Sequence, residues 1–332
     1  MANKFTLDHL LKTAKPESIP VLYVMGGTAT GKTDTAAQLY EQLPAELISV
    51  DSSLVYRGMN IGTAKPDPAF LEQYPHHLID IRNPNETYSA ADFCSDAASI
   101  VQQVTKKGKI PILVGGTSFY FSALENGLPE LPVADPEIRQ SLDQEAAKQG
   151  WQYMHSKLAN LDPDSAKRIK PTDTQRIQRA LEINLVTGTP VKQLNNSTSL
   201  LKNPILKTAL FHTDRHKLHT RIKQRFSIMI ENGLLDEITS LQQKYPKEIP
   251  AFRMIGYRQI IEGLDCNESL DSIIEKSIIA TRQLAKRQLT WLRNQSNVLW
   301  VALDKLEIVD IAYTLNQYYS HSAEYLLSNN DN

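Results

Sequence analysis

Four apolar runs in the first third of the chain each stop abruptly on a turn-forming or polar residue. Val21-Leu22-Tyr23-Val24-Met25 runs into Gly26-Gly27, and Leu47-Ile48-Ser49-Val50 into Asp51. His77-Leu78-Ile79-Asp80-Ile81 lies between Pro75 and Pro84, and Ile110-Pro111-Ile112-Leu113-Val114 closes on Gly115-Gly116. Short apolar runs of this kind predict strands of a parallel sheet, buried on both faces. Between them, Thr35 to Tyr40 continues a helix, and Ser89 to Lys106 reads as a second with Ser89 as its N-cap and Gly108 near its end. Repeated strand–helix units predict an α/β fold, a parallel sheet flanked by helices, with ligands at the carboxyl ends of the strands. The loop around Lys32, Asp51 and Thr117 all belong at such ends.

The pattern changes after Pro129. From Asp135 to Asn195 it is helical, punctuated by Pro136, Pro163, Pro171 and Pro190, with no convincing strand. Leu206 to Phe211 returns to the sheet, helices fill Asp214 to Tyr245 and Leu270 to Arg293, and Val298-Leu299-Trp300-Val301 forms a last strand. The expected organisation is a discontinuous core, residues 1–128 and 204–316, interrupted by a helical insertion, 129–203. A polar, flexible tail, 317–332, is expected to follow.

Composition narrows the function classes. The 332 residues carry a formal net charge of −1, so nucleic-acid binding would rest on local basic patches. Hydrophobic residues make up 41% and charged residues 22%, which predicts a packed core and excludes global disorder. Two cysteines, Cys94 and Cys266, far apart and outside any Cys-x-x-Cys spacing, exclude a zinc site or disulfide framework and suit a reducing compartment. No stretch is apolar enough to span a bilayer, so a cytoplasmic protein with no membrane partner is expected.

The first chemical feature is Gly26-Gly27-Thr28-Ala29-Thr30-Gly31-Lys32-Thr33, which fits the phosphate-loop pattern G-x-x-x-x-G-K-[ST] between a strand and a helix. Glycines let the loop curl until successive N–H groups and a helix N-terminus face an anion. Lys32 adds a point charge for the outer phosphates, and the Thr33 hydroxyl suits a magnesium ion. His212, His216 and His219 fall at helical i, i+4 and i+7 spacing. A hydrated helix end is preferred there over a metal site.

With that loop, the block Asp51-Ser52-Ser53-Leu54-Val55-Tyr56-Arg57-Gly58-Met59-Asn60-Ile61-Gly62-Thr63-Ala64-Lys65-Pro66 resembles the tRNA dimethylallyltransferase (IPP transferase) family. Tyr88 to Phe93, Val114-Gly115-Gly116-Thr117, Asp173 to Glu182, Ile255 to Gln259 and Thr281 to Arg293 extend the resemblance in order to about residue 300. Gly27 stands where the family has proline, and Thr30 where it has serine. The resemblance implies transfer of a dimethylallyl group from its diphosphate to N6 of the adenosine 3′ to the anticodon, in tRNAs that read U-initial codons. Diphosphate is released and magnesium is the implied cofactor. It further implies diphosphate binding by Gly26, Thr28, Ala29, Thr30, Gly31, Lys32, Thr33 and Arg225, with Thr33 on the metal and Asp51 and Thr117 catalytic. The implied tRNA contacts are Asp51, Ser52, Ser53, Leu54, Thr117, Arg139, Gln175, Arg176, Ile177, Gln178, Arg179, Arg253, Arg258, Arg282, Lys286, Arg287 and Arg293. The implied partners are a tRNA anticodon stem-loop and dimethylallyl diphosphate, bound by a monomer.

Residue chemistry supports parts of this scheme. A departing diphosphate needs cations and N–H donors in place beforehand. The exocyclic amine of adenine is a weak nucleophile that must shed a proton, and Asp51 can accept it. The residues alone leave Asp51 open between that base and a second-shell magnesium ligand, and the resemblance favours the base. Arg282, Lys286 and Arg293 form one stripe of a helix that is free of acidic residues from Thr281 to Arg293, the best candidate for phosphate-backbone contact. A stacked adenine must leave the anticodon loop to reach strand ends, and Tyr56 or Phe93 could stack on bases. Two other classes share the loop: a small-molecule kinase, and a non-catalytic RNA-binding nucleotide sensor.

Overall fold

A computed structural model of the protein describes residues 11–194, 197–304 and 308–329. The first ten residues and 330–332, parts of the expected core and tail, lie outside the described residues. The chain divides into two compact units, one of residues 1–124 with 201–332 and the other of 125–200. The second unit begins and ends a few residues earlier than the insertion expected from the sequence.

The larger unit is built on six parallel strands: β1 (Val21–Gly26), β2 (Ala45–Val50), β3 (His76–His77), β4 (Ile110–Gly115), β5 (Ile205–Phe211) and β6 (Val298–Ala302). Their order is β3-β2-β4-β1-β5-β6. Every residue of β1 and β4 is buried, as continuous apolar runs require in a sheet covered on both faces. The register pairs Val24 with Val114 and Ser49 with Val114, which brings the carboxyl ends of β1, β4 and β2 side by side. Of the run His77 to Ile81 only the first residue is strand. Leu78 and Asp80 have positive φ, and the chain turns away to bond Val55.

The helices, in chain order, are α1 (Lys32–Gln42), α2 (Pro68–Gln73), α3 (Ala90–Lys106) and α4 (Ser118–Asn126). The smaller unit contributes α5 (Pro136–Gln149), α6 (Trp151–Leu161), α7 (Pro163–Arg168) and α8 (Thr174–Thr187). Returning to the larger unit are α9 (Arg215–Glu231), α10 (Leu234–Lys244), α11 (Tyr257–Asp265), α12 (Leu270–Arg293) and α13 (Ile308–Asn329). Ser89 caps α3 in a reciprocal box with Asp92. The helices expected over Asp214 to Tyr245 are α9 and α10, separated at Asn232-Gly233, where Gly233 has φ 92°.

One expectation fails at the carboxyl terminus. Residues 317–329 are helical rather than a flexible tail, because Leu315, Tyr319 and Ala323 recur every four residues and are buried in the core with α1 and the strands. The Tyr319 hydroxyl donates to Thr208 Oγ1 inside that core. Polar residues on the other face of α13 conceal the pattern.

The smaller unit has its own apolar core, including Leu142, Met154, Leu158, Ile177 and Leu181. Asp135, Asp162 and Asp173 cap α5, α7 and α8 with side-chain oxygens.

Candidate active site

The phosphate loop curls as its glycines predict. Ala29 has φ 61° and Gly31 φ 68°, two left-handed residues that turn the intervening N–H groups to one side before α1 begins. Thr30 Oγ1 donates to the Gly27 carbonyl at 2.7 Å, and Lys32 Nζ folds back onto the same carbonyl at 2.6 Å. Burial draws the Lys32 ammonium down to about 8. Asp51 opposes that shift and Arg225 adds to it. Among the described residues the Thr33 hydroxyl makes no hydrogen bond to protein.

Helix α9 brings two arginines to this loop. Arg221 Nε donates to the Ala29 carbonyl at 3.0 Å, and Arg225 Nη1 approaches Thr28 Oγ1 at 3.4 Å. Burial lowers the Arg225 guanidinium below its usual value, against the pull of Asp51. Arg225 therefore belongs to the loop and makes no ion pair with Glu231.

Asp51 follows β2, and its Oδ1 accepts from the Ser53 amide at 2.8 Å and the Ser53 hydroxyl at 2.5 Å. Oδ2 is left without a hydrogen bond among the described residues. Thr117, at the end of β4, accepts the Ser52 amide on Oγ1 at 3.0 Å, while its own N–H donates to Val50 O at 3.2 Å. The loop, Asp51 and Thr117 are thus brought together, as the strand ends predict.

The segment from Asp51 to Pro66 is held from beneath. Glu237 accepts the amides of Asn60, Ile61 and Gly62 at 2.8, 2.8 and 3.1 Å, and the Tyr257 hydroxyl at 2.6 Å. Lys65, with a 3% exposed side chain, donates to Tyr56 O, Asn60 Oδ1 and Asp80 Oδ1. A polar loop with so many orphan amides needs such partners to keep one shape. Tyr56 and Phe93, expected as base-stacking residues, are instead core: both are buried, and Phe93 stacks on Tyr120 at 4.3 Å. Phe119, two residues past Thr117, is 62% exposed and is the aromatic left facing solvent there.

The expected RNA contacts separate by burial. On α12, Lys286, Arg287 and Arg293 are exposed, but Arg282 is half-buried with its Nε enclosed and unpaired. Its charge lowers the His219 imidazole, second to burial, so Arg282 faces α9 rather than completing an open stripe. Arg253 and Arg258 are exposed, and Ser52 is open to solvent beside half-buried Ser53 and Leu54.

In the smaller unit, Gln175 and Arg176 are exposed at the start of α8. Ile177 is fully buried and cannot be a tRNA contact, because it faces that unit's core. Arg139 and Arg179 grip the fully buried Glu182, with N–O distances of 3.0 and 2.7 Å. Arg179 also donates to Pro132 O, and Gln178 to Asp143 Oδ1.

His212 precedes α9, off the helix that carries His216 and His219, and no described cluster of acidic, histidine or cysteine residues could hold a metal ion. His212, with both ring nitrogens enclosed, lines a cavity of about 480 Å³ with Lys217, Arg221, Leu303 and Asp304.

Sequence reasoning missed two contacts to the loop, that of Arg221 to the Ala29 carbonyl and that of Gln288. Gln288, on α12, accepts the Thr28 amide on Oε1 at 2.9 Å and donates from Nε2 to the Gly116 carbonyl at 2.7 Å. It lies on the face of α12 opposite Lys286, a polar residue where the helical pattern calls for an apolar one, and that was the available signal.

The model of the IPP transferase family matches residues 54–295 of the chain. The tRNA dimethylallyltransferase of Thiobacillus denitrificans is 51% identical over 278 residues, 83% of this chain and 89% of that protein. Among solved structures, the full-length tRNA isopentenylpyrophosphate transferase of Bacillus halodurans is 34% identical. It covers 92% of this chain and 98% of its own, with a TM-score of 0.67. A eukaryotic dimethylallyltransferase described as acting on tRNA is 27% identical with a TM-score of 0.71, covering 86% of this chain and 75% of its own.

Proposed function

The chain belongs to the IPP transferase family, and from that premise we propose how its site moves a dimethylallyl group from dimethylallyl diphosphate onto tRNA. tRNA prenylation is the activity; a small-molecule kinase or a nucleotide sensor has no support among the relatives. The acceptor we propose is N6 of the adenosine 3′ to the anticodon.

The observation that carries the reading is the convergence of Lys32, Arg225 and the loop amides with Asp51 and Thr117 at neighbouring strand ends. The diphosphate lies on the loop, with Lys32 released from the Gly27 carbonyl to meet it and Arg225 beside it. The exocyclic amine, extruded from the anticodon loop, lies against Asp51 and Thr117. As N6 bonds to the first carbon of the dimethylallyl group, that carbon's bond to the diphosphate oxygen breaks. The electron pair leaves with the diphosphate, where Lys32, Arg225 and the amides stabilise it. The N6 proton passes to the open Oδ2 of Asp51, whose orientation Ser53 fixes through Oδ1.

Magnesium fits the donor set: the Thr33 hydroxyl is unengaged, and diphosphate oxygens can supply further hard ligands. Bound there, the ion would neutralise charge on the leaving group. One chain holds every residue invoked, so no partner copy is required. No described helix is long and apolar enough to cross a membrane.

The test is incubation with radiolabelled dimethylallyl diphosphate, magnesium and total tRNA, followed by nuclease digestion. Label on N6 of adenosine is expected, with one diphosphate released per transfer. Hydrolysis of ATP without label transfer would contradict the reading.

A further inference from the structure

Helix α12 meets the reaction centre from behind, at two glycines. A Cβ on Gly116 would lie 2.6 Å from Gln288 Nε2, and one on Gly27 would lie 3.8 Å from both Gln288 Oε1 and the Ala285 carbonyl. The helix therefore lies close to the loop and the end of β4, and Gln288 fills the gap with both ends of its amide engaged.

Those engagements join the two halves of the reaction. Thr28 N–H belongs to the loop that takes the diphosphate, and Gly116 O immediately precedes Thr117, which holds the Asp51 segment through the Ser52 amide. No other described side chain bonds to both. The loop begins Gly26-Gly27, two residues that contribute no side chain to stiffen it. A planar amide with one acceptor and one donor suits this place: a carboxylate could not donate to Gly116 O, and an amine could not accept from Thr28 N–H.

We propose that Gln288 is a positioning residue that sets the distance between the leaving diphosphate and the accepting amine by bonding the loop and the β4 terminus to one rigid helix. The inference rests on the prenyl-transfer reading above and deepens it. Gln288 touches neither reactant; it acts through Thr28 and Gly116. Misplacing reacting groups by about 1 Å lowers turnover by about 100-fold.

The experiment uses the full-length protein with Gln288→Met, which keeps the side-chain volume and removes both hydrogen bonds, beside Gln288→Ala. Wild-type protein is first shown to transfer label from dimethylallyl diphosphate to tRNA. The methionine variant is then expected to lose about 30–100-fold in kcat. The KM for tRNA should stay within about twofold, and the Kd for inorganic diphosphate, read by calorimetry, should weaken about tenfold. A packing role alone predicts that Gln288→Met keeps wild-type kcat and diphosphate affinity while Gln288→Ala lowers the unfolding temperature, and that outcome overturns the proposal. Absence of label transfer by the wild type would overturn the prenyl-transfer reading instead. The diphosphate titration would then decide alone whether Gln288 holds the loop.

Discussion

Lys32 is held between opposing influences. Burial under the loop favours its neutral form and brings it down to about 8, Asp51 favours the ammonium, and Arg225 opposes it. A diphosphate on the loop strongly favours the charged form, so binding and protonation are linked. Below about pH 8 the ammonium is already present and affinity should be flat. Above it, binding draws in a proton, and the Kd for dimethylallyl diphosphate should rise with pH, approaching about tenfold per pH unit, until the pH passes the higher pKa of the ligand-bound lysine. Calorimetry in buffers of different ionisation enthalpy would read the proton directly; no proton uptake at pH 9 would remove Lys32 from the site. At this scale the sequence was informative where a motif dictates backbone shape, as in Gly31 and Lys32. It was misleading for Tyr56 and Phe93, since an aromatic beside a functional motif serves a core as readily as a ligand.

Helix α12 carries two separate roles on its faces. Ala285 and Leu292 are buried, Gln288 turns toward the loop, and Lys286, Arg287 and Arg293 are left to solvent. Changing these three to glutamine should weaken tRNA binding and lower the magnitude of its log–log salt slope by about 2–3, while the Kd for dimethylallyl diphosphate stays put. Nitrocellulose binding across a salt series measures both affinity and slope, and an unchanged slope would make the stripe an ordinary solvated face. Arg282 is left out because it faces α9. The arginines around Glu182 are a different case: Glu182, fully buried, is held by Arg139 of α5 and Arg179 of α8 and accepts the Asp135 amide. Glu182→Gln removes the charge from beneath two partly solvent-exposed guanidiniums, which should cost about 1–2 kcal/mol. Limited proteolysis should therefore cut the 125–200 unit faster in the variant, and equal rates would show the pair to be dispensable. Element positions were legible wherever apolar periodicity was strong, as in β1, β4 and α12. The shortness of β3 was not, because it depends on tertiary bonds, those of Ile81 and Arg82 to Val55 O, that no local pattern displays.

Across the whole molecule, function follows from strand order: β1 lies between β4 and β5, so the phosphate loop, Thr117 and the arginines of α9 gather around one set of carboxyl ends. That arrangement was readable from the runs ending at Gly26, Asp51 and Gly115. The last helix was not, since Leu315, Tyr319 and Ala323 are spaced among polar residues and declare a buried face only once α1 is there to receive it. The central claim is that this gathering performs prenyl transfer with Asp51 as the proton acceptor. Single-turnover transfer of labelled dimethylallyl to tRNA by Asp51→Asn, at saturating concentrations of both substrates and over a magnesium series, tests it most directly. The account predicts that both substrates bind with near wild-type affinity while the rate of transfer falls about 100-fold or more, at every magnesium concentration. Recovery of wild-type rate at high magnesium, or transfer unaffected by the substitution, would contradict it.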